Sequence, residues 1–181
     1  MKDLSLHILD IAQNSISAGA SKIGISIDEN LAANTMAIGV TDNGRGMPAE
    51  VVERVTDPYY TSRTTRKVGL GIPLFKQNAE ATGGSLQIDS EEGRGTMLKA
   101  TFLHNHLDRP PLGDMAGVMV LLAGANPEIR FVYTHRIDNE EYVFDTEEVK
   151  EALDGIPLNE PQVMRFLKEM INENLTAIKA R

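Results

Sequence analysis

Asp10 and Asn14 stand four residues apart in the run Asp10-Ile-Ala-Gln-Asn14, so on a helix they project side by side, with His7 next to them. Such a pair is either a solvated polar face or a small oxygen site. In the second case the Asn14 amide oxygen completes the octahedral shell of a Mg²⁺ whose other positions stay open to water and phosphate oxygens. Asp10 could then orient or deprotonate a water or hydroxyl nucleophile. His7 is assigned to the solvated face, because no second imidazole or triad partner accompanies it.

A second stretch, Asp42-Asn-Gly44-Arg-Gly46-Met47-Pro48, places one carboxylate and two glycines just past the alternating run 36–40. Asp-Asn-Gly is ordinary turn chemistry, and these residues alone leave the choice open between a turn and a ligand-facing acid. The third stretch is Val68-Gly69-Leu70-Gly71-Ile72, at the start of a helix whose first amides lack internal acceptors. Glycines there allow close packing, or they cradle a phosphate chain, which gains roughly 0.3–1 kcal/mol from the helix dipole. The preceding loop carries Arg63, Arg66 and Lys67 and can fold over a triphosphate to neutralise it. Neither the Gly-x-x-x-x-Gly-Lys-Ser/Thr loop nor a Gly-x-Gly-x-x-Gly after a first strand is present.

The elements that must hold these residues follow from periodicity. Residues 3–19 read as a helix with Leu4, Ile8, Ile11, Ala12, Ser15 and Ile16 on one face and His7, Asp10, Gln13, Asn14 and Ser17 on the other. Alternation predicts strands at 22–28 and 35–41, joined by a hairpin loop over 29–34. A short helix is expected over 48–55, a mobile loop over 56–68 and a helix from 69 or 70 to 82. A strand around Leu86 and Ile88 pairs with 96–103 across a turn at 91–95. After a Pro-rich connector, 104–113, the pattern predicts a buried helix at 114–124, strands at 129–136 and 141–145, and helices at 146–153 and 160–179. Asp114 and Thr146 are the expected N-caps.

At 181 residues and 41% hydrophobic content, the chain can bury a proper core. It has no cysteine, which excludes disulfides and thiolate zinc sites. The charged amino terminus is unlike a signal peptide, and the longest apolar run, 118–123, is too short to span a bilayer, so a cytoplasmic protein with no membrane partner is expected. The net charge of -8 argues against a nucleic-acid partner. Residues 1–104 carry ten basic against twelve acidic side chains and 105–181 carry eight against fourteen, which makes the first part the better home for an anionic ligand.

Taken in order, these motifs resemble those of the GHKL superfamily, the ATPase domains shared by gyrase, the large heat-shock chaperones, histidine kinases and MutL. Asp10 to Lys22 resembles the N box, especially its MutL form. DNGRGM resembles the first glycine box, VGLGIPL the second and GRGT (93–96) the third, while Asp57-Pro-Tyr-Tyr-Thr61-Ser-Arg63 is similar to the histidine-kinase segment leading into the ATP lid. The resemblance implies an α/β (α+β) two-layer sandwich, a mixed sheet with helices on one face, over residues 1–104. Residues 105–181 form a C-terminal α/β extension. ATP and Mg²⁺ are the implied cofactors.

By the same resemblance Asp42 accepts a hydrogen bond from the adenine amino group, Gly44, Gly46 and Met47 lie against the base, and Thr96 supports the adenine contact. Asn14 holds the metal, Gly69, Leu70 and Gly71 take the phosphates, and Thr61, Arg63 and Lys67 belong to the lid. Asp10 occupies the catalytic position, one methylene shorter than the glutamate of hydrolytic members. Only nine residues precede the N box, so a phosphoacceptor is expected on a separate protein partner, with His104, His106 and His135 as in-chain alternatives. The expected function is a stand-alone kinase or anti-sigma-like regulatory module; an ATP-gated switch with little catalysis and a slow MutL- or gyrase-like hydrolase are the alternatives. Tyr133, Tyr142 and Phe144 of the extension could cap the sheet, form a homodimer surface or hold a partner.

Overall fold

The first helix, α1 (Leu4–Ser17), begins where Asp3 leaves the helical conformation and its carboxylate accepts the Leu6 amide at 3.1 Å. Two further first-turn amides donate to the connector, Leu4 to the Pro111 carbonyl at 2.9 Å and Ser5 to that of Leu112 at 2.7 Å. Two of the orphan donors of α1 are thereby satisfied by chain from beyond residue 104. The structure is a computed structural model, and it describes residues 3–57 and 71–180.

Strands β1 (Lys22–Asn30) and β2 (Thr35–Asp42) form the hairpin, in a register that opposes Ile25 to Val40 and Ile27 to Ile38. After α2 (Ala49–Arg54) and α3 (Gly71–Ala81) come β3 (Ser85–Glu91) and β4 (Gly95–Leu103), then α4 (Met115–Ala125), β5 (Arg130–Ile137), β6 (Glu140–Asp145), α5 (Thr146–Leu153) and α6 (Pro161–Ala177). The strands make one sheet in the order β3-β4-β2-β1-β5-β6. β5 lies parallel to β1 and the other pairings are antiparallel, so the sheet is mixed.

Alternation separates the two faces. Ile23, Ile25, Ile27, Met36, Ile38, Leu98, Phe102 and Phe131 are buried beneath the helices, whereas Lys22, Ser26, Thr41 and Lys99 face solvent. α4 is apolar around nearly its whole circumference because it lies between α1 and α6, leaving Leu121 and Ala125 outside. The core continues without a break from Leu4 on α1 to Ile171 on α6.

Three local expectations are corrected. Helix α5 is capped by Asp145, whose carboxylate accepts the Glu147 amide at 3.0 Å; Thr146 instead turns inward, fully buried, and its hydroxyl accepts the Phe131 amide at 2.9 Å. His7 is 1% exposed rather than on a polar face, packed edge-on against Phe75, because α3 covers that side of α1. β1 runs two residues past 28, and Glu29, expected in the hairpin loop, is 4% exposed.

Glu29 tolerates burial because two imidazoles reach it. His135 Nε2 lies 2.6 Å from Oε2 and His104 Nε2 2.9 Å from Oε1, while Tyr133 Oη lies 2.7 Å from His135 Nδ1. With Tyr133 donating to Nδ1, His135 keeps its proton on Nε2 and donates it to the carboxylate. Burial pushes the Glu29 carboxyl up, but the hydrogen bonds from His135 and His104 outweigh it and hold the group below its ordinary value. A depressed carboxyl stabilises the fold above the unfolded value, near 4.3, and this contribution is lost as pH falls through the lower folded value. Urea midpoints followed downward from pH 6 should therefore fall more steeply for the parent chain than for Glu29→Gln; parallel curves would contradict the assignment.

Candidate functional site

Asp42 closes β2, paired across to Ile23 of β1 on one side and to Thr96 of β4 on the other. Its two carboxylate oxygens have separate partners. Oδ2 accepts the Ser15 hydroxyl of α1 at 2.5 Å, and Oδ1 accepts the Gly44 amide at 2.9 Å. The acid is thus fixed from the helix layer and from its own loop before any ligand arrives. It lines a cleft of about 320 Å³ between α1, the sheet end and the start of α3, a size typical of small-molecule sites.

The cleft is amphipathic. Ile11, Val40, Met47, Ile72, Ile88 and Leu98 give it apolar walls suited to a flat ring, and Asp42 with Thr96 gives it a polar edge. Asp10, Asn14 and Gly71 line it as well. Asp10 is five residues from Ser15, about 7.5 Å along the axis of α1, so its carboxylate is displaced from the Asp42 edge, and it lies against the head of α3. There the approach is close: a Cβ on Gly71 would stand 1.8 Å from Asp10 Oδ2, so only glycine fits at the head of α3. Among the described residues no group of three or more His, Cys, Asp or Glu side chains could hold a metal, and no histidine lines the cleft.

Asp10, Asn14, Asp42, Gly46, Met47, Gly71 and Thr96 therefore surround one cavity. Gly44 sits behind it, where a side chain would meet the Ala18 carbonyl at 2.8 Å. Thr61, Arg63, Lys67, Gly69 and Leu70 lie outside the described residues. Burial holds His7 below its ordinary pKa, so its imidazole is neutral, and Nε2 pairs with the Asn78 amide at 3.0 Å. Two serines escaped the sequence reading. Ser15 counted only as part of the apolar face of α1, although a hydroxyl on a buried stripe demands a partner and was a usable signal. Ser90 Oγ accepts the Met47 amide at 2.8 Å and lies 2.8 Å from Thr96 Oγ1, pairings that only the register of β3 on β4 creates.

Gly46 carries the loop past β3. Its φ is +68°, and a Cβ would lie 2.0 Å from the Glu91 carbonyl oxygen. The left-handed conformation alone costs a side chain about 1–2 kcal/mol, and the carbonyl cannot yield easily because Glu91 is held in β3. Gly46→Ala should lose at least about 2 kcal/mol of stability by urea denaturation; a change below about 0.5 kcal/mol would show that the loop relaxes freely.

This fold is that of a known class of nucleotide-binding domain. Residues 2–106 match the family described as histidine kinase-, DNA gyrase B- and HSP90-like ATPase, and the chain belongs to that family. It is 35% identical over 108 residues to the sensor histidine kinase WalK of Bacillus subtilis, covering 55% of this chain and 18% of that protein. It is 28% identical over 110 residues to the sensor histidine kinase ZraS of Escherichia coli, covering 61% of this chain and 23% of that one. The chain thus spans less than a quarter of the length of these relatives.

Among solved structures, the N-terminal domain of a DNA repair protein superposes with a TM-score of 0.60 at 16% identity, covering 99% of this chain and 57% of that chain. The Aquifex aeolicus MutL ATPase domain complexed with ADP superposes at 0.50 and 18% identity, covering 85% of this chain and 70% of that one. At these identities the likeness is one of fold. It extends beyond residue 106, which accords with the continuation of the sheet into β5 and β6. Tyr133 and Phe144 are buried in that part and Tyr142 is half-buried, so the first two cap the core and are not surface for a partner. No described helix is long and apolar enough to cross a membrane.

Proposed function

We propose that the cleft binds ATP·Mg²⁺ and that the chain acts on, or controls, a separate protein partner. The observation that carries this reading is the Asp42 carboxylate, held by Ser15 and Gly44 at the rim of an apolar slot. An acceptor fixed at that place suits an exocyclic amine on a purine. Asn14 and Asp10 give Mg²⁺ one or two oxygens rather than a cage, which fits an ion that keeps water and substrate phosphates in its shell. Bound there, Mg²⁺ would supply charge for the phosphate oxygens. Gly71 at the head of α3 leaves the space in which backbone can approach them.

A separate partner is inferred from His104 and His135, two of the described histidines. His135 is fully buried, and Glu29, which holds both His135 and His104, is six residues along β1 from Ile23, the partner of Asp42. Six residues of strand span about 20 Å, so neither imidazole can reach a phosphoryl group in the cleft. An acceptor in trans is consistent with that distance. A switch with little catalysis is the second reading, favoured by the short Asp10 side chain. Kinase activity predicts that label passes from γ-labelled ATP to a partner protein; steady binding without transfer or turnover supports the switch.

Thermal shifts with ATP, ADP and GTP, with and without Mg²⁺, test the binding reading. At 100 times Kd a ligand stabilises by about 2.7 kcal/mol, so ATP should raise the melting temperature clearly and GTP far less. Asn14→Ala should abolish the difference that Mg²⁺ makes while leaving magnesium-free binding nearly intact. If saturating ATP moves nothing in the parent chain, the reading is wrong.

A further inference from the structure

Ser90, Thr96 and Asp42 form a row across three strands, since Ser90 pairs with Thr96 and Thr96 with Asp42. Thr96 and Asp42 line the cleft; Ser90 stands behind them. Ser90 Oγ has three neighbours: the Met47 amide at 2.8 Å, the Gly95 carbonyl oxygen at 3.1 Å and Thr96 Oγ1 at 2.8 Å. A hydroxyl has one proton and two lone pairs. The Met47 N–H can only donate, so it takes one lone pair. The Gly95 carbonyl can only accept, so it takes the proton. What remains for Thr96 is the second lone pair, and Thr96 must donate to it.

From this count we propose that Ser90 is a positioning residue for nucleotide specificity, acting through Thr96, a reading that rests on the purine site proposed above. With its proton turned back to Ser90, Thr96 offers the cleft only lone pairs. Asp42 beside it is an acceptor too, both of its oxygens being fixed by donors from Ser15 and Gly44. The purine-reading edge is therefore all acceptor. Adenine meets it with an amino group that carries two N–H donors. Guanine and hypoxanthine present a carbonyl oxygen at that point, which would face a carboxylate and a hydroxyl with no proton to offer. The discrimination thus depends on a residue that touches no nucleotide.

Removing the Ser90 hydroxyl frees the Thr96 proton to rotate into the cleft and donate to a purine carbonyl. Inosine triphosphate is the apt probe, since it replaces the adenine amino group by that carbonyl and lacks the extra amine of guanine. Calorimetric Kd values for ATP and for inosine triphosphate should be measured on the parent chain, Ser90→Ala, Ser90→Thr, Thr96→Val and the double variant Ser90→Ala/Thr96→Val. The net contribution of one hydrogen bond corresponds to about a tenfold change. Ser90→Ala should therefore reduce the preference for ATP about tenfold, mainly through tighter binding of inosine triphosphate, and Ser90→Thr should restore it. In the Thr96→Val background the Ser90 change should leave the ratio where it is, because there is no threonine proton left to release. If Ser90→Ala does not fold, Ser90→Cys keeps the volume with a weak acceptor and should shift the ratio in the same direction.

Equal weakening of both nucleotides by Ser90→Ala would mean that the serine only braces the Met47 loop, and the proposal would be overturned. It would likewise be overturned if the two substitutions changed the ratio additively. A parent chain that binds neither nucleotide would instead remove the purine reading itself, an outcome distinct from a parent that binds ATP with a ratio indifferent to residue 90.

Discussion

Replacing Asp42 by alanine should weaken ATP binding by roughly thirty- to a hundredfold, the equivalent of about 2–3 kcal/mol, and should also lower the melting temperature of the unliganded protein by a few degrees, because two donors lose their acceptor. The magnitude follows from what the carboxylate does. It is the charged member of the polar edge of an otherwise apolar slot, and a hydrogen bond to a charged group contributes about 1.5–3 kcal/mol. Its loss also leaves the Ser15 hydroxyl, on a residue only 3% exposed, without its acceptor. Asp42→Asn separates shape from charge. The amide keeps one oxygen for Ser15 or for Gly44 but presents N–H groups on its other side, so it should retain the fold and lose most of the ATP affinity. Calorimetry on the two variants is decisive: an ATP Kd within threefold of the parent in both would show that the base is recognised elsewhere.

The second large effect is on stability. His135→Ala should cost roughly 3–5 kcal/mol at neutral pH, because it leaves a buried carboxylate without its shorter hydrogen bond and opens a cavity between β1 and β5. Against a usual total of 5–15 kcal/mol that is a severe loss. Tyr133, whose hydroxyl burial and the Glu29 charge already push well above its ordinary value, is left unpaired as well. The cause is the stranded charge, so Glu29→Gln in the same background should recover part of the stability, whereas on the unmutated protein it should only destabilise. Urea denaturation at pH 7 reads both. A penalty near 1 kcal/mol would mean that water enters and solvates Glu29. Variants at this cluster that remain folded should keep the ATP affinity of the parent, since some 20 Å of strand separates them from the cleft.

The polar residues that reach these two places were legible to different degrees. Asp10 and Asn14 stand on the polar face of a periodic run and Asp42 and the glycine segments at junctions between runs, where a residue type out of keeping with a core announces itself. Ser15 and Ser90 are ordinary in sequence. One lies on an inward stripe of α1 and the other near the end of a strand, and only the pairing of β3, β4 and β2 under α1 turns them into partners of Thr96 and Asp42. Glu29, His104 and His135 are separated by up to 106 residues and share no motif, so their meeting is wholly a matter of topology.

The amino-acid sequence alone therefore determined the elements and the class of this protein. Periodicities of two and 3.6 residues, N-cap carboxylates and glycine stops act within a few residues, and each is written locally. It also fixed which acid and which amide would stand at the ends of β2 and on α1. The tertiary structure decided the rest: the parallel seat of β5 beside β1, the burial of His7 beneath α3, the exchange of cap between Thr146 and Asp145, and the hydroxyl partners of the cleft. Those outcomes depend on which distant faces meet, because a side chain's burial and its hydrogen-bond partner are properties of the packed pair and are encoded in neither segment separately.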